Sequence, residues 1–254
     1  MASSLELRQI YKTYGSGNQK KLVLQNINFK LEAGECWGLI GMSGCGKSTL
    51  LKIMARLENT DSGEVYWQGN NITVWQGRKL RPFYDDLRII QQNSIAAFNP
   101  RKTIGWSIGE RLLMHGCTER KAADRVREVL SMVKLSSYCQ NRYPHEMSGG
   151  ECQRAAIARA LILKPKILLC DEVISSLDKV NQVMIVGLLR KLVIQQNISC
   201  LFVTHNLNTI TSIADKVAVM DAGKIVEWGT VDSIMKNPQS AAARALVTAA
   251  QTLK

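Results

Sequence analysis

Cys36-Trp37-Gly38-Leu39-Ile40-Gly41-Met42-Ser43-Gly44-Cys45-Gly46-Lys47-Ser48-Thr49 is the stretch that decides how this chain folds. Its first five residues are a continuous apolar run, the pattern of a strand buried on both faces. Glycines follow, and positions 47–57 then read as a helix. A Gly-x-x-x-x-Gly-Lys-Ser pattern between strand and helix is the phosphate-binding loop. Its glycines let the backbone curl until successive N–H groups point at phosphate oxygens, and the helix N-terminus adds partial positive charge. Gly41, Ser43, Gly44, Cys45, Gly46, Lys47, Ser48 and Thr49 are therefore expected to bind a nucleotide. Lys47 should reach its β and γ phosphates, and Ser48 should ligate Mg²⁺.

Upstream, Leu5-Glu6-Leu7-Arg8-Gln9-Ile10-Tyr11 and Leu22-Val23-Leu24-Gln25-Asn26-Ile27-Asn28-Phe29 alternate apolar and polar residues across a glycine turn at 15–17. That pattern predicts two antiparallel strands. Downstream come a hairpin-like section over 63–73, a strand at Leu87-Arg88-Ile89-Ile90-Gln91, and mainly helical sequence over 103–163. Within that helical part Thr118 can cap a helix whose Ala122, Val126, Val129, Leu130 and Val133 form a packing stripe. Apolar runs at Ile167-Leu168-Leu169-Cys170, Ser199-Cys200-Leu201-Phe202-Val203 and Val217-Ala218-Val219-Met220 complete a largely parallel sheet. From Thr230 the chain reads as a short helix, a break at Asn237-Pro238 and an Ala-rich tail.

The 254 residues are 46 % hydrophobic and 21 % charged, the balance of a globular protein with a sizeable core. Lys and Arg number 33 against 21 Asp and Glu, a formal charge of +12 that favours anionic partners. No stretch approaches the roughly 20 apolar residues of a membrane span, and Met1-Ala2-Ser3-Ser4-Leu5-Glu6 lacks the features of a signal peptide, so a cytosolic location is expected. The seven cysteines form no Cys-x-x-Cys pair and are expected to be reduced, with Cys139, His145 and Cys152 in structural roles rather than on zinc.

Two acids, Asp171 and Glu172, end the run Ile167–Cys170. At the carboxyl end of a buried strand beside a phosphate loop, Asp171 is expected to hold Mg²⁺ and Glu172 to orient or deprotonate the attacking water. Before that strand stands Met147-Ser148-Gly149-Gly150-Glu151. A Ser-Gly-Gly at a helix start offers exposed amides and the Ser148 hydroxyl as a second anion site.

The order of these motifs, over nearly the whole chain, resembles the ABC transporter ATPases. Their fold is an α/β phosphate-loop (RecA-like) core with an antiparallel β subdomain and an inserted helical subdomain. By that resemblance Ser148, Gly149 and Gly150 form the signature motif, Tyr14 stacks on adenine, and Gln92 is the Q-loop glutamine, a catalytic and metal-binding position. Ser175-Ser176-Leu177-Asp178 is similarly the D-loop, with Asp178 in the nucleotide site, and His205 after Thr204 is the switch histidine. The resemblance implies one domain over 1–254: a β subdomain and phosphate-loop part over 1–92, a helical subdomain over 93–163, the remaining core over 164–229 and a helical tail over 230–254. It also implies ATP and Mg²⁺ as cofactors, a head-to-tail partnership with a second ATPase subunit, a paralogue in this reading, and two membrane permease subunits. An extracytoplasmic binding protein is an indirect partner, and the location is the cytoplasmic face of the membrane.

Within the family the chain is most similar to the nickel, dipeptide and oligopeptide importer group, through Gln92-Asn93-Ser94-Ile95-Ala96-Ala97-Phe98-Asn99-Pro100-Arg101-Lys102-Thr103. The stretch from Asp171 to Asp178 resembles its nickel branch. The cargo is then nickel, another metal ion or chelate, or a di- or oligopeptide. Ala96, Phe98 and the Asn99-Pro100-Arg101 turn are expected to meet a cytoplasmic helix of the permease. Two departures stand out. Glu151 replaces the usual glutamine, an acceptor-only anion expected near the partner's nucleotide, and no cysteine follows Cys200. Two rival classes are a nucleic-acid machine with an ABC head, suggested by the +12 charge, and a regulatory subunit that binds ATP without turnover. Lys47, Asp171, Glu172 and His205 argue against the second.

Overall fold

The run Cys36–Ile40 is a strand with all five residues buried, and the rest of the fold is arranged around it. The structure, a computed structural model, describes residues 4–252 except Ser176. Met1 to Ser3, Ser176 of the D-loop segment and the last two residues of the tail lie outside the described residues. In chain order the elements are β1 (Leu5–Tyr14), β2 (Lys21–Leu31), β3 (Cys36–Ile40), α1 (Lys47–Met54), β4 (Ser62–Trp67), β5 (Asn70–Asn71), α2 (Arg81–Asp86) and β6 (Leu87–Ile90). Then come α3 (Ile104–Met114), α4 (Glu119–Met132), α5 (Gly149–Leu161), β7 (Ile167–Asp171), α6 (Lys179–Gln196) and β8 (Ser199–Val203). The chain closes with α7 (Leu207–Ile213), β9 (Lys216–Asp221), β10 (Lys224–Thr230), α8 (Val231–Lys236) and α9 (Ala241–Thr252).

One sheet has the order β2-β1-β4-β5, the other β10-β9-β3-β8-β7-β6. In the first, β1 pairs antiparallel with β2 from Leu5 opposite Leu31 to Tyr14 opposite Lys21. In the second, β3, β6, β7, β8 and β9 run parallel, and only β10 pairs antiparallel, with β9.

Why the core strands read as unbroken apolar runs follows from packing on both faces. Cys36 and Ile40 of β3, Leu168 and Cys170 of β7, and Cys200 and Phe202 of β8 face a core shared with α3, α4, α5 and α6. Their alternates Trp37, Leu39, Ile167, Leu169, Leu201 and Val203 face a second core with α1 and the antiparallel sheet. Each apolar side chain so buried contributes about 1.5–3 kcal/mol, so both parities of the strands are apolar. The buried Ser199 at the start of β8 is accommodated by its hydroxyl, which hydrogen-bonds with the Ser4 hydroxyl and accepts from the Gly34 amide.

The helical part contains three main helices with short 3₁₀ turns between them. Thr118 caps α4 by accepting from the Lys121 amide, and Ala122, Val126, Val129 and Leu130 are buried as a stripe. Two features differ from the sequence reading. Lys224–Thr230 is a strand that the sequence reading does not include, because at an edge its side chains alternate between exposed and half-buried with charges among them. Phe98, expected on a docking surface, is buried at 5 % exposure under the Arg159 guanidinium, 5.8 Å from its ring centroid. The seven cysteines are free thiols, six of them buried, and Cys152 donates to the Pro144 carbonyl at 3.5 Å. Among the described residues no helix is long and apolar enough to cross a membrane.

Candidate nucleotide site

The carboxyl ends of the parallel strands gather the predicted residues, the place where open α/β sheets bind ligands. The phosphate loop follows β3, Gln91 and Gln92 follow β6, Glu172 follows β7, and His205 lies just beyond β8. A cavity of about 470 Å³ opens there, lined by Ser43, Gly44, Gly46, Lys47, Ser48 and Thr49 together with Glu172, His205 and Val23. Val23 of β2 was missed by the sequence reading, since an apolar strand residue carries no chemical signal. Its carbonyl abuts Gly46, where a Cβ would stand 2.9 Å away.

Two glycines shape the loop. Gly46 caps α1 at φ 110°, a left-handed backbone that side chains resist. A Cβ on Gly41 would lie 2.2 Å from the Met220 carbonyl oxygen, so no larger residue fits between β3 and β9. Lys47 is 7 % exposed, and its ammonium donates to the Gly41 carbonyl at 2.8 Å and the Met42 carbonyl at 3.0 Å, with Cys45 Sγ at 3.8 Å. The cation is thus held within the loop by acceptors that a phosphate can replace.

Across the cavity, Glu172 Oε1 lies 3.2 Å from His205 Nδ1. Glu172 itself sits at φ 47°, an uncommon backbone for a residue with a side chain and one that concentrates at functional sites. Its amide donates to the Val203 carbonyl at 2.9 Å, so β8 fixes the turn that aims the carboxylate. Burial, and next the neighbouring Glu172 charge, push the Asp171 carboxyl above its ordinary range, while Lys47 and Lys52 oppose the rise. The half-buried Asp171 carboxylate, the Ser48 hydroxyl and the Gln92 amide oxygen are hard oxygen donors of the kind magnesium takes, Ser48 on the cavity lining and Asp171 and Gln92 outside it. No cluster of three or more His, Cys, Asp and Glu residues able to hold a metal exists among the described residues.

Other predicted residues stand outside the cavity lining. Tyr14 ends β1, 39 % exposed, with the Lys12 ammonium 5.3 Å from its ring centroid. Gln92 is exposed beyond β6. Ser148, Gly149 and Gly150 begin α5, and Asp178 caps α6 by accepting from the Asn181 amide at 3.0 Å. These two helix starts are neighbours, for a Cβ on Gly150 would meet Asn181 Oδ1 at 3.0 Å. They form a second group, apart from the phosphate loop.

At the start of α5 the Glu151 carboxylate closes a capping box. It accepts from the Ser148 amide and the Ser148 hydroxyl, both at 2.9 Å, while the hydroxyl accepts from the Glu151 amide at 3.3 Å. The Ser148 amide, then the Ser148 hydroxyl, hold the Glu151 carboxyl below its ordinary range. The carboxylate therefore folds back on its own helix start and engages the hydroxyl assigned to an external anion.

The ABC transporter family pattern matches residues 24–175. The chain is 41 % identical over 237 residues to the methionine import ATP-binding protein MetN 1 of Shouchella clausii, covering 92 % of this chain and 67 % of that protein. It is 39 % identical over 228 residues to the oligopeptide transport ATP-binding protein OppF of Salmonella typhimurium, covering 89 % and 68 %. A dimeric post-hydrolysis state of an ATP-binding cassette bound to ADP and Pi superposes with a TM-score of 0.81 at 28 % identity, over 89 % of this chain and 98 % of that one. The cbiO1 protein of Clostridium perfringens shares the fold, with a TM-score of 0.84 at 22 % identity over 93 % and 92 %.

Proposed function

Because the chain belongs to the ABC transporter family and is an ATP-hydrolysing subunit of the importer kind, we propose that it drives uptake of a di- or oligopeptide or a related amino-acid cargo. The observation that carries the mechanism is the single cavity that sets Lys47 and Ser48 opposite the Glu172–His205 pair. In this reading ATP lays its phosphates on the loop amides, and Lys47 exchanges the Gly41 and Met42 carbonyls for β and γ phosphate oxygens. Glu172 orients a water for attack on the γ phosphorus and accepts its proton, while His205 holds the Glu172 carboxylate and neighbours the γ phosphate. Asp171, Ser48 and Gln92 would hold Mg²⁺, whose chemistry is to offset the charge of the phosphate oxygens.

Ser148, Gly149 and Gly150, apart from this cavity, suit a nucleotide held by a second subunit, and Asp178 lies beside them. In the proposed head-to-tail dimer the γ phosphate bridges two subunits, so its removal reopens them. The permease converts that closure into alternating access at the cytoplasmic membrane face. We propose a paralogous ATPase partner and an extracytoplasmic binding protein as the remaining components.

The names of the two relatives, an oligopeptide transporter and a methionine importer, support the peptide side of the cargo reading. A second reading, nickel or a nickel chelate, rests on the stretch from Asp171 to Asp178. Purifying the complex through this chain and measuring uptake of labelled oligopeptide against radioactive nickel in vesicles decides between them. ATP-driven uptake of nickel alone would overturn the peptide assignment, and absence of ATPase activity in the intact complex would overturn the mechanism.

A further inference from the structure

The anion group at the start of α5 is blocked from within, and an arginine stands beside the blocking carboxylate. Glu151 Oε2 accepts from both the amide and the hydroxyl of Ser148 at 2.9 Å, so the hydroxyl proton that an incoming phosphate needs is already engaged. The other oxygen, Oε1, lies 3.9 Å from Arg142 Nη1, within ion-pair range but beyond a hydrogen bond. Among the described residues no other carboxylate comes within that range of Arg142.

Local structure puts the guanidinium there. Arg142 follows the 3₁₀ turn Ser137–Asn141, and its backbone is held on both sides: its amide donates to the Cys139 carbonyl at 3.2 Å, and its carbonyl accepts from the Ile104 amide at the start of α3 at 2.8 Å. The side chain is less constrained. It is 39 % exposed, its guanidinium carbon stands 5.6 Å from the Tyr138 ring centroid, and it borders an open hollow of about 380 Å³ lined also by Asn141, Tyr143 and Glu146. Glu146 is engaged elsewhere, for its Oε2 accepts from the Tyr143 amide at 2.7 Å. The other cation acting on Glu151 is Arg154, one turn along α5, whose Nη1 faces Met184 Sδ at 3.9 Å and which makes no ion pair with Glu151. Arg142 is thus the cation that closes on Glu151 by a change of rotamer.

A phosphate arriving at Ser148 competes with the carboxylate for one hydroxyl proton and meets a like charge. Left without a partner, the carboxylate would repel it. Paired with a guanidinium, whose N–H donors match both of its oxygens, the carboxylate is neutralised and held aside.

We propose that Arg142 is a positioning residue of this second anion site: it receives the Glu151 carboxylate when a phosphate of the neighbouring subunit's nucleotide claims the Ser148 hydroxyl. The inference rests on the head-to-tail ATPase reading above and names the residue that lets this chain work with a glutamate in its signature motif. No covalent bond changes. The proton stays on Ser148, and the carboxylate exchanges one set of donors for another.

The test is steady-state ATPase of the assembled complex against ATP concentration. The backbone bonds at Arg142 do not involve its side chain, so Arg142→Met should fold. It should raise the apparent KM for ATP about three- to fivefold, the effect of one partly exposed ion pair, with kcat within about twofold. Arg142→Lys keeps the charge and should stay within about twofold of the wild-type KM. In the Glu151→Gln background, where no carboxylate needs a receiver, Arg142→Met should give no further rise. A KM unchanged by Arg142→Met, or raised equally in both backgrounds, overturns this inference and leaves the ATPase reading standing. A wild-type complex that does not hydrolyse ATP overturns that reading, and this inference with it.

Discussion

Glu151→Gln separates two consequences of the capping box at the start of α5. The carboxylate accepts two 2.9 Å hydrogen bonds from Ser148 and lies in the first turn, where the helix dipole favours a negative charge. Glutamine keeps an acceptor and suits a capping box, so the loss is confined to the charge. A charge at that position is worth about 0.3–1 kcal/mol, and the charge assistance to the two bonds adds a comparable amount. A total near 1 kcal/mol corresponds to a fall in Tm of about 2–4 °C for a chain of this size. The folded-state pKa of Glu151 is depressed, so the stabilisation is fully present above the unfolded value and is lost as pH falls through the folded one. The Tm difference between Glu151→Gln and wild type should therefore be largest near pH 7 and vanish in acid below the ordinary glutamate range. Function should move the other way. With an uncharged amide oxygen as its acceptor, the Ser148 hydroxyl is held more weakly and is released to a phosphate at lower cost, and a like charge leaves the proposed composite site. If about 1 kcal/mol is recovered there, the apparent KM for ATP in the complex falls about fivefold. Calorimetric Tm against pH and steady-state ATPase against ATP concentration check the two arms. A Tm difference that is absent at pH 7, or independent of pH, refutes the capping argument. An unchanged or raised KM refutes sequestration of the hydroxyl.

Three further predictions concern the cavity and the helical core. Glu172→Gln should keep ATP binding and lower turnover at least about 100-fold, as measured by nucleotide binding and phosphate release from the assembled complex. Asp171→Asn should raise the Tm of the nucleotide-free protein at pH 7, by about 2–4 °C for each 1 kcal/mol of relieved burial cost, while abolishing magnesium-dependent turnover. The sign follows from the raised folded pKa of Asp171: its ionised form is disfavoured in the fold, so the gain should grow as pH rises through the carboxylate range and disappear in acid. Phe98→Asp should cost about 3–5 kcal/mol and reduce the Tm of the isolated subunit, because it removes a buried ring and inserts a charge; an unchanged Tm would place Phe98 on the surface.

The chemistry of this chain is carried by local pattern. The loop from Gly41 to Ser48 needs its glycines, lysine and serine at fixed spacing between a strand and a helix, and β3 and α1 stand on either side of it. The acids after β7 and the serine capping α5 are equally local, since strand ends and helix starts impose their residue types over a few positions. The unbroken apolar runs of β3, β7 and β8 identified strands covered on both faces without showing which residue faced which core. The tertiary structure decided what depends on distant neighbours. Phe98 reads as a surface aromatic until Arg159, far along the chain, covers it. Val23 reads as strand filler until β2 brings it to Gly46. The edge strand Lys224–Thr230 is hidden by its polar alternation because pairing with β9, rather than burial, holds it. Glu151 reads as an anion aimed outward, yet the orphan amides of its own helix start draw the carboxylate back to Ser148. Arg142 is one basic residue among many in the sequence, and it faces that carboxylate because the start of α3 holds its carbonyl. Local pattern fixes which groups a chain carries; burial and convergence are properties of pairs far apart in sequence, and only the packed chain sets them.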